Sequence, residues 1–163
     1  MYRDPPPDFP PPPDPRLVEP DRGLRDLWVG RATPDDVLRV FGSDCKIARH
    51  DNRDIFSLNY SYLDDEQYKP DRPPQSERPD TFNFEFGLLK QICVGPYQTA
   101  LRTTGHLAIG AARRDVIRVF GGGYDLLLEQ EFETLRYRTL GIQLAIDNDD
   151  DKVMNFSVFR AAR

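Results

Sequence analysis

One phrase occurs twice in this chain. Gly30-Arg31-Ala32-Thr33-Pro34-Asp35-Asp36-Val37-Leu38-Arg39-Val40-Phe41-Gly42 returns about eighty residues on as Gly110-Ala111-Ala112-Arg113-Arg114-Asp115-Val116-Ile117-Arg118-Val119-Phe120-Gly121. The second copy is one residue shorter in the link after its first glycine. Self-similarity at a fixed spacing declares a structural unit before any other feature does. The expected fold class is therefore α+β: two tandem repeats, each a short helical entry plus a helix followed by a three- to four-stranded antiparallel sheet. A proline-rich extended tail precedes them. The expected boundaries are residues 1–21 for the tail, 22–95 for the first repeat with a flexible loop at 63–80, and 96–163 for the second.

The tail follows from composition. Nine of the fifteen prolines fall within the first twenty residues, and proline fixes φ while removing a backbone donor, so this segment is read as a polyproline-II arm. Such an arm can dock in an aromatic groove or serve as a solvated spacer. The arm also dilutes an apolar fraction of 39%, and what remains holds enough Leu, Val, Ile and Phe for a core.

Within the first copy, Thr33 can cap a helix, Pro34 suits its first position, Asp36 can close a capping box, and Gly42 ends it where a positive φ is needed. Val37, Leu38, Val40 and Phe41 form its buried face. Gly23 to Gly30 reads as a short strand or a turn of helix. In the second copy Ala112 stands in the place of Thr33, so that helix lacks a side-chain cap and is expected to be less stable by roughly 1 kcal/mol. Gly121-Gly122-Gly123 follows a helix, the wrong order for a phosphate cradle, and reads as a stop and turn.

Strand patterns follow both helices. Ile55, Phe56, Leu58, Tyr60 and Tyr62 oppose Ser57, Asn59 and Ser61; Phe82, Phe84 and Phe86 alternate with Asn83 and Glu85; Leu89, Ile92 and Val94 make a third strand. Later strands are expected over 124–128, 132–138, 141–146 and 153–159. Between the first two lies 63–80, with Asp64-Asp65-Glu66 and four prolines, too polar to pack. Residues 147–151, an acidic run without a calcium loop's glycine and distant glutamate, read as a solvated hairpin tip.

Chemistry is sparse. Cys45 and Cys93 have no metal spacing and are expected to be reduced, although a bridge between them is geometrically open. His50 and His106 lie far apart and near no nucleophile. No residues fill the roles of nucleophile, base and charge stabiliser together. Neither catalytic residues, a metal nor a cofactor is expected. The formal charge of −5, with no basic stripe, argues against nucleic acid. No apolar stretch is long enough for a membrane helix and no leader opens the chain, so a cytoplasmic protein is expected without membrane contact.

The recurring glycines and helix-opening phrases, carried by Gly30, Thr33, Asp36, Val37 and Gly42 and again by Gly110, Asp115, Val116 and Gly121, resemble the tandem-repeat fold of β-lactamase inhibitory protein. They are also similar to the small domain of outer-membrane assembly lipoproteins of the SmpA/OmlA type, and the second half looks like bacterial immunity-type proteins. The chain lacks the lipoprotein signal and the inhibitor's disulfide in each repeat. What the resemblance implies is a protein-binding inhibitor, foremost an immunity protein that neutralises a cognate toxin or effector domain, with a basic partner suited to the acidic loop. The partner-binding residues expected are Tyr60, Tyr62, Asp64, Asp65, Glu66, Tyr68, Asn83, Glu85, Arg136 and Arg138. Ser57, Asn59, Gln143 and Ser157 share their open parity. The rival reading is a non-catalytic adaptor or structural protein of a secretion or envelope system that docks through its proline arm, and a remoter one is a small-molecule binding module.

Overall fold

The computed structural model describes residues 14–50, 54–61 and 72–162. A small antiparallel sheet comes first: β1 (Val18–Glu19), β2 (Gly23–Leu24) and β3 (Leu27–Trp28). Helix α1 (Pro34–Phe41) leads into β4 (Lys46–Arg49), β5 (Ile55–Asn59), β6 (Thr81–Glu85) and β7 (Leu88–Val94). Helix α2 (Arg113–Phe120) leads into β8 (Asp125–Leu128), β9 (Phe132–Tyr137), β10 (Ile142–Asp147) and β11 (Val153–Phe159).

This arrangement overturns the expected fold class. The protein is mostly β, with two α-helices and eleven strands among the described residues, and not two helix-plus-sheet repeats. All eight later strands belong to one antiparallel sheet in the order β4-β5-β6-β7-β11-β10-β9-β8. The joint is the pairing of β7 with β11, Val94 opposite Phe156 and Ile92 opposite Val158. Two separate sheets would each leave two unpaired edges, and fusion leaves two in all. The segment 23–30, read as a short strand or a turn of helix, holds the two strands β2 and β3, whose tight connection places Arg25 at φ 56°. At Gly23, φ is 133° and a Cβ would lie 2.0 Å from the Leu27 carbonyl oxygen, so no other residue fits this turn.

The two helices start differently. Thr33 Oγ1 accepts from the Asp36 N–H, and Asp36 Oδ2 accepts from the Thr33 N–H at 2.8 Å, a complete capping box. Ala112 provides no side-chain cap. Instead the Arg113 N–H donates to the Asp151 carbonyl, and the Arg113 guanidinium binds Asp151 and Glu133, both at 2.7 Å. The acidic run at 147–151 is thus more than a solvated tip: it holds the start of α2. The polar segment before β6 also departs from expectation in its described part. Residues 75–77 form a 3-10 turn, and Arg78 and Pro79 are buried.

The core lies between the helices and one face of the large sheet. Val37, Phe41, Leu58, Tyr60, Phe82, Ile92, Val94, Val116, Leu135, Tyr137, Leu144, Phe156 and Val158 are all buried there. Phe41, Tyr60 and Phe82 form one ring cluster, and Phe120, Tyr124 and Tyr137 another. The small sheet is tied to the end of the large one. The Ala161 N–H donates to Asp21 Oδ1 at 2.7 Å, and a Cβ at Gly141 would lie 2.8 Å from the Asp21 backbone nitrogen.

Candidate functional site: the open face of the sheet

Strand alternation sends one set of side chains to the helices and the other to the opposite face. Register fixes the members of the second set. Ala48 lies opposite Ser57, Ser57 opposite Asn83, Asn83 opposite Gln91, Ser157 opposite Gln143, and Gln143 opposite Arg136. A polar row therefore crosses the sheet on the side away from the helices.

The row is hydrogen-bonded side chain to side chain. Ser57 Oγ donates to Asn83 Oδ1 at 2.6 Å, Asn83 Nδ2 to Gln91 Oε1 at 2.9 Å, and Gln91 Nε2 to Ser157 Oγ at 2.8 Å. Every link runs in the same direction, so each polarises the next. His50 Nε2 stands 3.4 Å from Ser57 Oγ.

Beyond Gln91 the row opens into a groove of about 260 Å³ lined by Lys90, Gln91, Arg136, Arg138, Gln143, Phe159, Arg160 and Ala162. A bulge places Lys90 there: Asn83 pairs with Gln91 but Phe84 with Leu89, so Lys90 is the extra residue. Lys90 Nζ contacts Glu85 at 2.5 Å, Arg138 Nε contacts Asp125 at 2.5 Å, and Arg160 Nε lies 3.6 Å from Asp21. Arg136 differs from the other three. Its guanidinium lies 5.5 Å from the centre of the Phe159 ring, and among the described residues no carboxylate is within ion-pair distance of it.

Of the partner-binding residues expected from the sequence, Asn83, Glu85, Arg136 and Arg138 lie on this one face. Tyr60 does not. It is 1% exposed, its hydroxyl donates to the Gly42 carbonyl at 2.7 Å, and burial pushes its pKa far up. Tyr62, Asp64, Asp65, Glu66 and Tyr68 lie outside the described residues. Lys90, Gln91, Phe159 and Arg160 were not singled out from the sequence. Phe159 shares the parity of Ser157, and that spacing placed it on the open face despite its apolar side chain.

Cys45 and Cys93 are not bonded to one another. Burial raises the Cys93 thiol to about 12, with the Asp80 charge adding to the shift, while Asn83 Nδ2 lies 3.6 Å from its sulfur. Among the described residues no group of three His, Cys, Asp or Glu side chains could hold a metal ion, and no helix is long and apolar enough to cross a membrane. No family model, curated protein or solved structure matches the chain.

Proposed function

We propose that this protein is an inhibitor that binds another protein through the open face of its eight-stranded sheet, and that the partner is a toxin or effector domain which it neutralises as an immunity protein. The observation that carries the reading is the hydrogen-bonded row from Ser57 to Ser157, continued by the cationic groove. A row already bonded within itself is held in place before a partner arrives, which lowers the ordering cost of association. Large polar faces of this kind contact partners through shape and hydrogen bonding. The sequence resemblance to immunity-type proteins supplies the choice of partner class.

The test is to capture the partner from the native host with the tagged chain, then express that partner in cells with and without this protein. Relief of growth arrest by the native chain, lost in Ala48→Arg and Asn155→Arg, supports the reading. Both residues sit on the open face, outside the groove. A captured partner that causes no growth defect, or full relief by both folded variants, overturns it.

A further inference from the structure

We infer that the groove beside Arg136 receives a carboxylate side chain, an Asp or Glu of the protein partner, as the anchoring contact of the interface. The inference rests on the reading that a protein binds the open face. Four cations from β7, from β9 and the residue after it, and from the segment after β11 converge on one groove of about 260 Å³ in a chain whose net charge is −5. Three of them meet carboxylates of this chain: Lys90 with Glu85, Arg138 with Asp125, and Arg160 with Asp21. Among the described residues, these pairs leave the groove with one excess positive charge, on Arg136.

The geometry of Arg136 suits this role. Its guanidinium carbon lies 5.5 Å from the Phe159 ring centre, within reach of a cation–π attraction, and a guanidinium so held still has a fork of donors that matches a planar anion. A carboxylate accepts such a fork in two parallel bonds, the strongest common form of this contact. Gln143, opposite Arg136 in the β9–β10 register, and Gln91 bring amide groups to the same groove.

A single excess charge selects a carboxylate of a protein over a nucleic-acid backbone, whose evenly spaced phosphates need a long run of unpaired cations. Glu85 and Asp125 at the rim would repel the neighbouring phosphates of such a strand. The acidic ligand expected here is the opposite of the basic partner that the acidic loop suggests.

The experiment uses the full chain and a capped tetraglutamate peptide, followed by NMR of the Arg136 Nε–H and the Phe159 ring at low and physiological salt. Saturable shifts at both groups are expected, weakening as salt rises, with affinity reduced at least tenfold in Arg136→Gln and partly kept in Arg136→Lys. Thermal melts of both variants establish that they are folded. Arg136→Gln is also expected to weaken the captured partner at least tenfold. Absent shifts, equal binding by Arg136→Gln, an unchanged partner affinity, or tighter binding of a single-stranded oligonucleotide to the same groups each overturns the inference. If the peptide fails while Asn155→Arg still abolishes partner binding, only this inference falls. If the peptide binds while Asn155→Arg and Arg136→Gln both leave the partner bound, the reading of the open face falls with it.

Discussion

The hydroxyl of Tyr60 donates a 2.7 Å hydrogen bond to the carbonyl of Gly42, tying the end of β5 to the residue that ends α1. Tyr137 makes the corresponding contact with Gly121 at 2.8 Å. Gly42 is buried and Gly121 is partly exposed, so the two bonds differ in what their loss leaves behind. Tyr60→Phe strands a buried carbonyl and is expected to cost about 1–2 kcal/mol. Tyr137→Phe lets water replace the lost donor and is expected to cost less. Chemical denaturation of the two variants side by side checks the order.

The two helix starts make a second pair. Thr33→Ala is expected to destabilise by about 1 kcal/mol, because it removes the acceptor for the Asp36 N–H. Ala112→Ser is expected to add a similar amount by giving the Asp115 N–H an acceptor of the same kind. Urea midpoints at constant slope measure both changes.

Two aspartates give opposite pH dependences. The Thr33 backbone N–H, helped by Arg39, holds the Asp36 carboxyl below its ordinary range. Its stabilising contribution is present above about pH 4 and is lost as the pH falls through the folded value. Burial holds the Asp80 carboxyl above its ordinary range. Its contribution is complete below about pH 4 and is lost as the pH rises through the folded value. Asp36→Asn should therefore flatten the acid side of the stability profile, and Asp80→Asn should raise stability at pH 7 relative to pH 3. Denaturation between pH 3 and 8 decides both signs.

Cys93 should be a poor nucleophile. With its pKa near 12, the thiolate fraction at pH 8 is about a thousandfold below that of an ordinary cysteine. In Cys45→Ser, which leaves Cys93 as the sole thiol, alkylation at pH 8 is expected to run at least a hundredfold slower than in denaturant. Equal rates would contradict the raised pKa of this thiol.

Local chemistry made the helices readable. The Thr33–Asp36 box and Gly42 mark one helix, and Gly121 marks the end of the other, all through contacts within a few residues. Alternation likewise placed Asn83 and Glu85 on one face and Arg136 and Arg138 on one face. What alternation could not convey is which strands adjoin, and the recurrence of one phrase invited two sheets where β7 and β11 build one. The β4 strand escaped because Lys46, Ile47, Ala48 and Arg49 are exposed on both sides and carry no alternating pattern. Lys90 escaped because a bulge breaks the parity that a regular strand would keep. Tyr60 reads from the sequence either as a core residue or as a surface anchor, and its hydroxyl's partner, Gly42, is visible only in three dimensions.

The bond from Gln91 to Ser157 spans 66 positions along the chain and joins the strand before α2 to the last strand of the sheet. A ribosome therefore releases β4 through β7 well before the segment that completes them. Until β11 arrives, Gln91 has no Ser157 to donate to, Phe159 is not there to support Arg136, and β7 is a bare margin. The recognition proposed for this face would thus be withheld from a half-made chain until the final strand is laid in.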